Sequence, residues 1–267
     1  MPNVRIANCN LSYNVVDQRL PWLRNSSNIV FHHGVGGCAA MWRGWFSTLS
    51  ERHRLVTFDK RGHGRSTCPP GHHWDMAAML NDLDAVIRDS CGGSSVHLVG
   101  ESIGATVCLA YAMTWPERVR TLTISNGAHL GVSVEALDDW ATIMRDDGME
   151  GWSKMMMQRR FYPGALSRDA AAWFEAQQAS ADSCAVLSAV EVLVGADLRE
   201  DLPLAAMPTL IMHPDASPFI PVPVVADLHA RLPDARLKVF AHAKHGLPFS
   251  HASVCAQTLR DFLSEVE

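Results

Sequence analysis

Gly100-Glu101-Ser102-Ile103-Gly104 is the stretch on which the reading of this 267-residue chain turns. It has the G-x-S-x-G form of a sharp strand-to-helix turn that lifts one serine hydroxyl clear of the backbone. The flanks agree. Residues 95–99 (Ser-Val-His-Leu-Val) make a short apolar run of strand type, and residues 105–115 an apolar run of helical length. Glycine at 100 and 104 leaves room for a tight backbone and for close packing of helix on strand. Ser102 is therefore the candidate nucleophile, and its hydroxyl needs a base to become reactive.

Working outward, short apolar strands are expected at residues 4–9, 11–16, 28–32, 55–58 and 119–124, with helices at 40–52 and 74–90. The rhythm resumes late in the chain with strands at 209–213 and 237–241 and helices at 223–232 and 253–266. Strands alternating with helices predict an α/β fold, a mostly parallel sheet with crossover helices on both faces. Residues 129–204 break the pattern and read as helix at 134–147, 151–160, 168–179 and 183–194. This block reads as a helical cap inserted between two parts of one core domain, residues 1–128 and 205–267.

Composition narrows the function classes. Apolar residues make up 48% and charged residues 19%, as in a globular protein with ample core. The net charge is −5, and no basic stripe offers a nucleic-acid surface. No run of about 18 apolar residues predicts a membrane span. The opening residues lack a charged leader followed by an apolar run, which points to a cytoplasmic protein. The seven cysteines are scattered, with no C-x-x-C pair, and read as reduced thiols. Nothing in the sequence decides oligomeric state, and a homodimer is allowed.

A base for Ser102 is expected on a loop after the last strand. His245 in Ala241-His242-Ala243-Lys244-His245-Gly246 is the first choice and His242 its rival. Developing negative charge on a substrate carbonyl needs two backbone N–H groups. The Ile103 amide follows the nucleophile, and the turn His33-Gly34-Val35-Gly36-Gly37 offers the Val35 amide as the second. That turn is not a dinucleotide cradle, because positions 39 and 40 are alanine and G-x-G-x-x-G is not completed. No organic cofactor or metal is called for.

Together these features resemble the α/β-hydrolase family over nearly the whole chain. Asp59-Lys60-Arg61-Gly62-His63-Gly64-Arg65-Ser66 is similar to that family's D-x-R-G-H-G-x-S segment. Weaker similarity to 3-oxoadipate enol-lactonases and related small-ester hydrolases lies in residues 124–131, 160–163 and 196–200. The resemblance implies an eight-stranded sheet and hydrolysis of a small carboxylic ester or lactone through an acyl-enzyme. It also implies a catalytic triad. Trp42, Trp152, Arg160 and Phe161 are the residues expected to meet substrate. The acid is where the pattern departs. The family position after the seventh strand falls on Ser217, with Asp215 two residues earlier, and the other known position falls near Asn126. Asp215 is assigned the acid role. Ser217 or Asn126 orienting the imidazole without charge, or loss of hydrolysis altogether, stay open. So do a cofactor-free lyase, a perhydrolase, or a non-catalytic receptor built on the same scaffold.

Overall fold

The computed structural model describes residues 2–23, 27–69, 74–135, 137 and 139–266. Among them, eight strands form one sheet. They are β1 (Asn3–Ile6), β2 (Cys9–Val16), β3 (Ser27–His32), β4 (His53–Phe58), β5 (Val96–Glu101), β6 (Val119–Ser125), β7 (Thr209–Pro214) and β8 (Ala235–Phe240). Their order across the sheet is β1-β2-β4-β3-β5-β6-β7-β8. The β1/β2 and β2/β4 pairs are antiparallel and all the others parallel.

Both faces of the sheet are covered, which explains why β3 and β5 are buried almost throughout rather than at alternate residues. Successive side chains still point to opposite faces. Ile29 and Phe31 of β3 join one apolar core with Trp42, Trp45 and Leu259, whereas Val30 joins the other with Leu83, Val86 and Val107. Helix Met76–Cys91 belongs to the second core. It starts where the Asp75 side chain accepts the Ala78 N–H and stops at Gly92, whose φ is 61°. The single helix expected at 40–52 is instead a 3-10 segment, Ala39–Trp45, followed by the short helix Phe46–Leu49. Gly44 sits where a Cβ would lie 2.7 Å from that of Ala252, so glycine there lets the C-terminal helix Ala252–Val266 pack close.

Chain order reverses at β3, which has β4 on one side and β5 on the other. In open α/β sheets such a switch point opens a crevice at the carboxyl ends of the strands. The glycine-rich turn leaves β3 there and Ser102 leaves β5 there. Between β6 and β7 the chain makes helices Trp140–Asp146, Gly148–Arg160, Arg168–Ala179 and Ser183–Val194. Side chains of Ser167 and Asp182 cap the last two. Strands β6 and β7 nonetheless pair directly, so the helical block is an excursion from the sheet. The helix expected from 134 begins only at Trp140, after a 3-10 turn at Gly131–Ser133; positions 136 and 138 lie outside the described residues.

One expectation about cysteine is corrected. The isolated antiparallel bridge Asn10↔Thr67 sets Cys9 beside Cys68, and the two form a disulfide. Cys38, Cys91, Cys108, Cys184 and Cys255 are free thiols. Among the described residues, no helix is long and apolar enough to cross a membrane.

Candidate active site

Ser102 has φ 56° and ψ −128°, a left-handed backbone that a side-chain-bearing residue seldom adopts. Its neighbours make that turn fit. A Cβ at Gly100 would lie 2.4 Å from Ala105 Cα, and one at Gly104 would lie 2.5 Å from the His32 carbonyl oxygen. The Ser102 N–H donates to the Ser125 carbonyl at 2.9 Å, and the Ser102 carbonyl accepts from Ala105 and Thr106 to start helix Ile103–Thr114. The hydroxyl is left facing His245, with Oγ 3.0 Å from Nε2.

His245 lies in the turn between β8 and the short helix Leu247–Ser250. Asn126 Nδ2 donates to its carbonyl at 2.9 Å, and the Phe219 ring meets the imidazole edge-to-face at 4.7 Å. Burial, followed by the nearby Arg160 and His213, pushes the imidazole well below its ordinary pKa. It is therefore a neutral base at neutral pH, and Ser102 can donate its proton to Nε2. The rival His242 is an exposed turn residue with φ 55°.

The structure does not bring Asp215 to the imidazole. Its carboxylate accepts the backbone N–H groups of His242 at 2.9 Å and Ala243 at 3.1 Å, bracing the turn after β8. Burial works to raise its pKa, but these amides hold it below the ordinary value. The reason is register: Asp215 continues straight from β7, where its own N–H bonds to Phe240, so its side chain meets the backbone of the neighbouring turn. Ser217 is the residue at His245 Nδ1, 3.5 Å away, and Asn126 contacts only the His245 backbone. Asp215→Ala is thus expected to lower Tm by a few degrees and to keep kcat within about threefold of wild type, since a turn brace and not a charge on His245 is lost. A thousandfold fall in ester turnover with Tm unchanged would return Asp215 to the triad.

The turn after β3 has nearly every N–H engaged. Gly34 N donates to Glu101 Oε2 at 2.8 Å, Gly36 N to His63 Nε2 at 3.0 Å, and Gly37 N to the Gly34 carbonyl at 3.3 Å. Because His63 Nε2 accepts, its Nδ1 carries the proton and donates to the Arg61 carbonyl. Among the described residues, the Val35 and Ile103 amides donate to no protein acceptor. Both residues line the same cavity as Ser102 and His245. Two free N–H groups beside a serine hydroxyl are what an oxyanion requires.

That cavity is narrow, leaving about 20 Å³ for the centres of water-sized molecules. Apart from Ser102, His245 and Arg160 its walls are apolar, with Trp140, Met156, Val190 and Leu193 from the inserted helices and Phe219 and Ile220 from the loop after β7. Of the residues expected to meet substrate, only Arg160 lines it. Trp42 is wholly buried in the core against Phe31 and Trp45. Trp152 packs behind the turn, close over Gly36, and Phe161 packs on Phe174, Phe249 and Gly246. Their size fitted a pocket wall, but the helix carrying Trp152 presents that ring to the turn. Arg160 Nη2 donates to the Val35 carbonyl at 2.6 Å, and its own carbonyl accepts Gly246 N–H at 2.9 Å.

Glu101 went unread in the sequence, because the motif leaves its position unspecified. It is 1% exposed. Its Oε1 lies 3.7 Å from both Arg160 Nη1 and His245 Nε2.

Comparison with known proteins agrees with this architecture. A protein of Azorhizobium caulinodans that carries the provisional name carbamate hydrolase RutD is 26% identical over 245 residues, covering 90% of this chain and 92% of that one. 3-Oxoadipate enol-lactonase 2 of Acinetobacter baylyi is 25% identical, covering 84% and 86%. The enol-lactonase of Burkholderia xenovorans LB400 superposes with a TM-score of 0.88 at 22% identity, covering 98% and 100%. Residues 28–207, more than half of the chain, match the alpha/beta hydrolase fold family, and the chain belongs to it.

Proposed function

We propose that the protein is a serine hydrolase of small carboxylic esters or lactones, acting through an acyl-enzyme. The observation that carries the reading is the 3.0 Å contact between Ser102 Oγ and His245 Nε2, beside two uncommitted amides. Ser102 gives its proton to His245 as Oγ bonds to the carbonyl carbon. The Val35 and Ile103 amides hold the resulting oxyanion. His245 then protonates the leaving oxygen as the C–O bond breaks. Water, deprotonated by His245, then attacks the Ser102 ester, and His245 returns that proton to Ser102 Oγ as its bond to the acyl carbon breaks and the acid is released. None of these steps uses a metal or organic cofactor.

The helices between β6 and β7 act as a cap that sets substrate choice, since they supply Trp140, Met156, Val190 and Leu193 to the cavity. The names of two relatives, a carbamate hydrolase and an enol-lactonase, support a carbonyl substrate of this kind, and the apolar walls favour a small one with little charge. The test is covalent labelling. A fluorophosphonate should add once per chain, on the peptide containing Ser102, and p-nitrophenyl acetate should give a stoichiometric burst of nitrophenol. A Ser102 that stays unlabelled while the folded protein turns over esters would remove it from the mechanism.

A further inference from the structure

Ser217 is uncharged and 3.5 Å from His245 Nδ1, at the outer limit of a hydrogen bond. Acyl transfer turns His245 into an imidazolium, and among the described residues no carboxylate pairs with its Nδ1. A carboxylate does stand on the other side. Glu101 Oε1 is 3.7 Å from Nε2, is buried, and makes no hydrogen bond. Its twin Oε2 is held by Gly34 N–H at 2.8 Å. Position 34 has to be glycine for this, because a Cβ there would lie 2.2 Å from Oε2.

We propose that Glu101 supplies the negative charge missing from the Nδ1 side of His245 and stabilises the imidazolium from the nucleophile's side of the ring. This rests on the Ser102–His245 reading above. Glu101 acts through His245, so it is a positioning residue. Three further groups set its charge. Burial raises its pKa, and Arg160, the Gly34 N–H and Lys60 oppose that rise. Lys60 Nζ is buried without a hydrogen-bond partner. The imidazoles facing Lys60, those of His32, His33 and His63, are kept neutral by burial. His245 itself is faced by Arg160 and His213. A carboxylate offsets the cationic Arg160 as well as the imidazolium.

The rival role for Glu101 is merely to anchor the Gly34 turn. Glu101→Gln separates the two, because the amide oxygen still accepts Gly34 N–H while the charge is gone. The experiment measures kcat and KM for p-nitrophenyl acetate from pH 5 to 9 in wild type, Glu101→Gln, and Glu101→Gln/Ser217→Asp. The expected result is a fall in kcat of about 100-fold in the single variant with KM little changed. The acidic limb of kcat/KM should move to lower pH by about one unit, because an imidazole that loses a neighbouring anion holds its proton less tightly. The added Asp at position 217 should restore at least about tenfold, by placing a carboxylate at Nδ1. A Glu101→Gln enzyme within threefold of wild type overturns the proposal. So does a loss with an unmoved acidic limb and no recovery from Ser217→Asp. If wild-type turnover survives Ser102→Ala, the parent reading has failed instead, and this one with it.

Discussion

Ser102→Ala is expected to lower kcat for p-nitrophenyl acetate by about 10⁴-fold or more, with KM within a few-fold of wild type. The substitution removes one oxygen whose protein hydrogen bond is to His245 Nε2. Alanine keeps the Cβ, so the left-handed turn at φ 56° and the packing against Gly100 and Gly104 persist. Tm should therefore hold, which separates loss of chemistry from loss of fold. The Val35 and Ile103 amides and the cavity remain, so substrate still binds and some rate over water survives. His245→Ala should cost a similar factor, and combining the two should cost little more, because nucleophile and base act as one unit. Residual turnover has to be measured after fluorophosphonate treatment, which silences any trace of contaminating wild-type enzyme. Losses that simply multiply in the double variant would show that the two residues work in separate processes.

The elbow, the parallel sheet and the place of the inserted helices were legible because each is written locally. G-x-S-x-G needs its glycines for reasons confined to a single turn, as the would-be contacts of Gly100 and Gly104 show. Helices Arg168–Ala179 and Ser183–Val194 were legible to the residue, since caps at Ser167 and Asp182 mark their starts. The acid was not legible. Asp215 and Ser217 are two residues apart in one loop, and which of them faces His245 depends on how that loop leaves β7 against the turn after β8. Substrate-facing residues failed for a related reason. A tryptophan on an inserted helix reaches the cavity or the core according to helix rotation, so Trp140 lines the cavity and Trp152 does not. Glu101 was hidden by the motif itself, which treats the residue before the nucleophile as free. Only the fold, by bringing Gly34, Arg160 and His245 around it, gives that carboxylate a role.

Arg160→Met is expected to destabilise the protein by about 3–5 kcal/mol at pH 8, and so to lower Tm by about 10 °C. Methionine fills similar volume, so the loss is chiefly electrostatic. Arg160 and Glu101 are each 1% exposed, and removing the cation strands a buried carboxylate. The Val35 carbonyl also loses its donor, and helix Gly148–Arg160 loses a tie to the turn after β3. The pH dependence has a definite sign. Burial already raises the Glu101 carboxyl pKa, and Arg160 is the first influence opposing it, so the variant raises it further. A carboxyl whose folded pKa exceeds its unfolded one favours folding below the unfolded pKa and loses that advantage as pH climbs through the folded pKa. The deficit against wild type should accordingly shrink as pH falls and the buried carboxyl takes up a proton, and be larger at pH 8 than at pH 5. Arg160→Met/Glu101→Gln should regain most of the loss at pH 8, because a neutral, filled site replaces a broken pair. Calorimetric Tm values at the two pH values decide the matter. A single variant as stable as wild type at pH 8, or a double variant less stable than the single, would show that the pair is not what holds the inserted helices to the turn after β3.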